Sequence, residues 1–222
     1  MEACKFRPRC LALILGEIAV AKARGPAVFD DKRENGLAER LSGILHAIPS
    51  LMQVLRTARR LGLPDWLLFS GAVYQPVLNH LTGRAPDYGL KDYDLGYFDA
   101  RDLSYEAEDA VIRQAAAAFK APLRSMVEVR NQARVHLWFA AKFGEAYAPL
   151  GSTAEALRRF TSATFAVGVR LEPDDRLHVE APFGLTDLFA LRLRPNPSRR
   201  TLGFARTAAN AVSRWPELVV EA

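Results

Sequence analysis

The run Lys91-Asp92-Tyr93-Asp94-Leu95-Gly96-Tyr97-Phe98-Asp99 constrains this chain more than any other segment. Its aromatic and apolar residues read as a β-strand, and strand side chains alternate between two faces. Asp92 and Asp94 therefore point the same way. Two carboxylates side by side repel each other, and a cation relieves that repulsion. Mg2+ is a hard ion, commonly held by one or two carboxylates together with substrate phosphates. The pair points to a metal–nucleotide site on a sheet.

The segment upstream strengthens this reading. Trp66-Leu67-Leu68-Phe69 is an apolar run with the look of a buried strand, and Ser70-Gly71 follows at once. Ala72, Val73, Val77, Leu78 and Leu81 then recur at helical spacing. A strand, a tight glycine turn and a helix expose backbone N–H groups at a helix start, which attract anions. Gly83, Pro86 and Gly89 mark a loop before the acidic strand.

Elsewhere, Leu37, Leu41, Ile44, Leu45 and Ile48 predict a helix that Pro49 breaks. Ser50 is the expected cap of a second helix, which carries Leu51, Val54, Leu55 and Ala58 and is closed by Pro64. A helix from Asp102 or Ser104 to Phe119 and a strand over Ser125 to Arg130 come next. Asn131 then caps a helical stretch through Phe139, and Ser152 with Glu155 forms a capping box. Thr164–Leu171 and Leu177–Ala181 pair as a hairpin around Asp174-Asp175, and a short helix with Leu185, Leu188 and Phe189 follows. The tail from Arg192 reads only as Arg- and Pro-rich. Helices first, then a sheet interleaved with helices, then a hairpin, predict an α+β domain. The 222 residues suit one such domain over residues 37–222, with residues 1–36 as an extension or packing helix.

Cys4 and Cys10 make neither a Cys-x-x-Cys pair nor a disulfide framework, so a reducing, cytoplasmic setting is expected. Leu11 to Gly16 imitates a signal-peptide core, but Glu17 interrupts it and it is too short to span a bilayer. The formal net charge of +5 permits an anionic partner without requiring one. No helix-turn-helix, zinc-finger or RNP-type pattern points to sequence-specific nucleic-acid binding.

Taken in order, Gly71-Ala72-Val73 through Leu81-Thr82-Gly83, Asp92-Tyr93-Asp94 to Phe98-Asp99, Asn131 to His136, Ala166 to Arg170 and Ala181 to Phe189 carry a resemblance. The chain resembles a bacterial family of small nucleotidyltransferases within the polymerase-β-type superfamily, over roughly residues 38 to 216. That likeness implies a polymerase-β-like core, with a mixed, mainly antiparallel sheet flanked by helices. It implies transfer of a nucleoside monophosphate from an NTP to an acceptor it does not identify, with release of pyrophosphate, and Mg2+ or Mn2+ as the metal. Oligomeric state stays open.

By the same resemblance Asp92 and Asp94 ligate metal, and a third carboxylate comes from a neighbouring strand. Glu128 is the candidate, with Glu180 and Asp187 as other options. A surface pair of Glu128 with Arg130 is the competing reading. Ser70, Gly71, Gln75, Asn131 and Arg134 are the candidate nucleotide contacts. Here the turn is Gly71-Ala72 rather than Gly-Gly or Gly-Ser, and Tyr74-Gln75 stands where many relatives have Arg-Asn. Asn131 is equally a plain helix cap, His136 either a half-buried structural histidine or a base, and Arg170 either a phosphate ligand or a partner of Glu180. The alternative function is a catalytically silent nucleotide- or RNA-binding module of the same fold.

Overall fold

The structure, a computed structural model, describes residues 31–198 and 203–221. Expectations for the cysteines and the N-terminal apolar run lie outside these residues. Two helices, α1 (Asp31–His46) and α2 (Pro49–Leu61), lead into β1 (Leu67–Phe69), α3 (Gly71–Leu81), β2 (Tyr93–Tyr97), α4 (Tyr105–Ala118) and β3 (Val127–Asn131). After a 3-10 turn at Gln132–Arg134 come α5 (Val135–Phe143), α6 (Thr153–Leu157), β4 (Gly168–Leu171), β5 (Leu177–Glu180) and α7 (Thr186–Phe189). The chain closes with β6 (Arg192–Leu193), α8 (Phe204–Val212) and β7 (Val219–Val220).

The main sheet runs β3-β2-β1-β4-β5, with only β2 and β3 parallel. This is the mixed, mainly antiparallel sheet that the family resemblance implies. One face carries Leu68, Tyr93, Leu95, Val129 and Val169 into the principal core, which the apolar sides of α1 to α4 complete. The other face is sparser: Leu67 and Phe69 meet Leu157 of α6 and Ala166 in a small second cluster. That second face also carries Asp94, because Asp94 is paired with Phe69 and shares its side of the pleat.

Gly96 is what allows Phe69 to lie there. A Cβ at Gly96 would come 2.4 Å from Cε1 of the Phe69 ring and 3.1 Å from Cγ2 of Thr153. The ring is pinned against Phe160, edge-to-face at 5.8 Å, and has little room to yield. Gly96→Ala is expected to destabilise the protein by about 1–3 kcal/mol, the usual cost of overpacking. Urea unfolding measures it, and a variant as stable as the wild type would refute the close packing.

Local chemistry departs from expectation in several places. Pro49 does not merely break α1; it opens α2 at the first helical position, where its missing N–H costs nothing. Ser50 is then not a cap, and its hydroxyl accepts a hydrogen bond from Tyr93 at 3.2 Å. The helix ends at Leu61 on Gly62, in the left-handed conformation, ahead of Pro64. The first turn of α1 lies before residue 37, and Glu34 within it accepts hydrogen bonds from the Leu185 N–H and the Thr186 hydroxyl at the start of α7. Arg170 pairs with Glu172 at 2.7 Å rather than with Glu180, which bonds His178 at 2.8 Å.

The tail is more ordered than its composition suggests. β6 and β7 form a parallel pair, and Trp215 is fully buried. Its indole N–H donates to Asn79 Oδ1 of α3 at 2.8 Å. Asn79 in turn donates to the carbonyls of Pro86 and Tyr88. One buried network therefore fastens the C-terminal segment, α3 and the loop before β2 to each other.

Candidate active site

Strand register builds the site. Asp94 of β2 lies directly across from Glu128 of β3, and the same rung continues through Phe69 and Gly168 to Glu180. Asp92 stands one residue ahead of β2 and is exposed. Asp94 is half-buried, and burial pushes its carboxyl up to about 6; the charges of Asp92 and Glu128 add to the shift. The nearby Ser70 hydroxyl and Arg130 pull it partly back. Asp92, exposed as a residue, is also raised, first because neighbouring atoms partly desolvate its carboxyl and then by the Glu128 charge, with Lys91 opposing. Negative charge is thus concentrated here beyond what the surrounding cations neutralise.

The turn between β1 and α3 faces this charge. Ser70 has φ 64° and ψ −140°, a conformation rare for a non-glycine residue. Such strain costs on the order of 1–3 kcal/mol and persists only where the surroundings impose it. The Ser70 carbonyl accepts from the N–H groups of Val73 and Tyr74. The first N–H groups of α3 have no acceptor within the helix and remain available to an anion. A Cβ at Gly71 would lie 2.6 Å from Gln75 Nε2, so a side chain there would displace the Gln75 amide.

Ser70, Gly71, Asp92, Asp94 and Glu128 therefore come together, with Gln75 packed under the turn. Asn131 and Arg134 do not join them. Asn131 shares the register parity of Val127 and Val129, so it points to the core face of β3, away from Glu128. Its Oδ1 accepts from the N–H groups of Asp99 and Ala133, and its Nδ2 donates to the Asp99 carbonyl at 2.8 Å. Arg134 is buried, ion-paired with Glu108 of α4 and bonded to the Leu103 carbonyl at 2.9 Å. Both serve the fold, since their polar atoms are already engaged there. His136 is half-buried, and its Nδ1 has no partner. Of the other carboxylates, Glu180 sits three strands from Asp94, beside a cleft of about 490 Å3 lined by Glu155, Arg158 and Pro182. Asp187 pairs with Arg194.

Two cations near the carboxylates were less legible. Arg130 follows Glu128 on the same strand face and offsets the charge on Asp94. Lys142 of α5 has a lowered pKa, through burial first and then Arg130, with Glu128 opposing; these causes place it in the same neighbourhood. Glu128 and Arg130 are neighbours by strand alternation alone, but only the course of α5 brings in Lys142, because no motif links it to them.

Among the described residues, no group of three His, Cys, Asp or Glu side chains is arranged to hold a metal ion. A Mg2+ held by two carboxylates, phosphates and water needs no such cage. The donor set of Asp92 and Asp94 fits that hard cation, and the upward shift of both carboxyls is the imbalance it would relieve.

The sheet order, the glycine turn into α3 and the paired aspartates define a polymerase-β-like nucleotidyltransferase core. A solved structure described as a CCA-adding enzyme head domain, determined by NMR, shares this fold with a TM-score of 0.67 and 23% identity, covering 82% of this chain and 95% of that one. The chain belongs to a nucleotidyltransferase family whose model matches residues 56–220. No curated protein matches it. No described helix is long and apolar enough to cross a membrane.

Proposed function

We propose that this protein transfers a nucleoside monophosphate from an NTP to an acceptor, using a divalent cation, Mg2+ or Mn2+, that Asp92 and Asp94 would hold, with Glu128, across the rung from Asp94, as the third carboxylate that would turn in to the ion when it binds. The observation that carries this reading is the rung pairing Asp94 with Glu128, beside Asp92 and the Ser70-Gly71 turn. An acceptor oxygen attacks the α-phosphorus and the α–β phosphoanhydride bond breaks. Pyrophosphate leaves, and the acceptor's proton passes to solvent. When bound, the cation neutralises charge on the phosphate oxygens and favours the deprotonated acceptor.

The chain's own residues position the reactants. The first N–H groups of α3 bind the phosphates, and the missing side chain of Gly71 lets the backbone approach them. Ser70 orients Asp94. Reactions of this kind need positioning and charge neutralisation more than covalent help.

Calorimetric titration of Mg2+ with each NTP is the test. Binding is expected to require metal and to vanish in the Asp92→Ala/Asp94→Ala double variant. Metal-dependent binding that survives in that variant sinks the reading. Pyrophosphate release with a lysate as acceptor source is expected as well; binding without release favours the silent nucleotide- or RNA-binding module. A pH series adds a further expectation. Asp94 must lose its proton to hold the cation, so Mg2+-dependent NTP affinity should rise with pH through about 6 and level off above it.

A further inference from the structure

Helix α3, Gly-Ala-Val-Tyr-Gln-Pro-Val-Leu-Asn-His-Leu, contains neither lysine nor arginine. A triphosphate bound at its N-terminus would therefore meet no cationic side chain from the helix itself. One cation reaches the helix from elsewhere. Arg214, just after α8, donates from Nη1 to the Gly89 carbonyl at 3.3 Å and from Nε to the Asn210 carbonyl at 3.4 Å. It lies over the Trp215 ring, 4.5 Å from its centroid.

Three observations separate this arginine from an ordinary surface residue. Among the described residues, no carboxylate lies within ion-pair distance of it. The acceptors it bonds are neutral carbonyls, which do not compensate the half-buried guanidinium, and donors remain among its five N–H groups. The backbone is shaped around it: Gly89 has φ +75°, and a Cβ there would lie 3.2 Å from Arg214 Nη1. Finally, Arg214 stands beside Tyr74 and Gln75, and the Tyr74 hydroxyl feels Gln75, Arg214 and Asp94 together.

Tyr74 and Gln75 lie one helical turn below Ser70 and Gly71, on the same side of α3. The Tyr74 ring is held in place by stacking on Phe165, centroids 3.8 Å apart. Gln75 is 7% exposed, and its Oε1 is buried without a hydrogen-bond partner. Toward a phosphate Gln75 can only donate, from the Nε2 that lies 2.6 Å from where a Cβ on Gly71 would be; Oε1 is an acceptor and makes no bond to a phosphate oxygen. The Gly89 Cα region and Arg214 are its neighbours.

We infer that Arg214 is the cation that binds the triphosphate of the NTP, on a subsite formed with the Tyr74 hydroxyl and Gln75 beside the Ser70-Gly71 turn. The inference rests on the proposed nucleotidyl transfer for its ligand, and on the position of Arg214 for its geometry. Guanidinium suits phosphate because its planar fork makes charge-assisted, bidentate hydrogen bonds. The network of Trp215, Asn79 and the loop carbonyls holds the arginine in place.

The experiment compares wild type, Arg214→Gln, Arg214→Lys and Asp92→Ala/Asp94→Ala. Each is titrated with tripolyphosphate without metal, and with an NTP and the matching nucleoside in Mg2+. Arg214→Gln keeps the start of the aliphatic stem and a neutral amide donor, but is shorter than arginine and loses the charge. It is expected to weaken tripolyphosphate and NTP about 10- to 100-fold while nucleoside affinity and melting temperature stay within error. Arg214→Lys is expected to recover part of that loss. If Arg214→Gln binds tripolyphosphate as tightly as wild type, or if wild type does not bind it, the inference is overturned. Loss in Arg214→Gln together with undiminished metal-dependent NTP binding by the double aspartate variant leaves the subsite standing and overturns the proposed metal site instead.

Discussion

Asp94→Asn is expected to abolish nucleotidyl transfer and, in the same protein, to raise the melting temperature without metal. The loss should be on the order of 10²–10³-fold or more, the scale seen when one preorganised electrostatic element is removed. The gain follows from proton linkage. The Asp94 carboxyl sits at about 6 in the fold, above the 3.8 of an unperturbed aspartate. A group raised in this way contributes stability that is fully present below the unfolded pKa and is lost as pH rises through the folded value. At pH 8 the ionised Asp94 is therefore a liability of roughly 1–3 kcal/mol, toward the lower end where solvent reaches it. Asparagine carries no charge to lose. The variant should melt about 2–10 °C above wild type at pH 8, and the gap should close near pH 4. Adding Mg2+ should reverse the order, because a ligand stabilises only the state that binds it. A metal-free wild type that is the more stable protein at pH 8 would contradict this account.

The same residue shows why part of the site could be read from the sequence. Asp92 and Asp94 are legible because strand alternation is local: a period of two places both carboxylates on one face before any partner is known. Ser70-Gly71 is legible for a similar reason, since an apolar run ending in a glycine turn is a feature of adjacent residues. Glu128 was a candidate only. What settles its position opposite Asp94 is the parallel pairing of β2 with β3, a long-range fact. Arg214 was not legible at all, because it lies 125 residues from the Gly89 carbonyl that tethers it. Its segment reads as Arg- and Pro-rich, and those residues obscure the apolar side of α8. Ser50 misled in the other direction. It is a good capping residue by type, but Pro49 beside it takes the first helical position and leaves Ser50 inside the helix.

Asn131 and Arg134 misled for a different physical reason: buried polar residues resemble functional ones in sequence because both need partners. Arg134→Ala is expected to cost about 3–5 kcal/mol, the typical result of removing one member of a buried ion pair. Arg134 and Glu108 have side chains only 10% and 8% exposed. Glu108 also accepts from the Asn131 N–H at 2.9 Å, so the pair anchors α4 to the end of β3. Without Arg134, the Glu108 carboxylate is left in the core with one backbone donor, near the Tyr97 hydroxyl, which burial and the Glu108 charge already push up to about 12. A fall in melting temperature of about 6–20 °C follows. Replacing both partners, as in Glu108→Leu/Arg134→Met, removes the stranded charge and should recover much of the loss. NTP affinity per folded molecule should be unchanged in both variants, because the register of β3 turns this network away from Asp94. The opposite pattern, a stable Arg134→Ala protein with weakened NTP binding, would return Arg134 to the nucleotide site. The two outcomes are far apart in both measurements, so one melting curve and one titration decide between a residue that holds the sheet and a residue that holds the substrate.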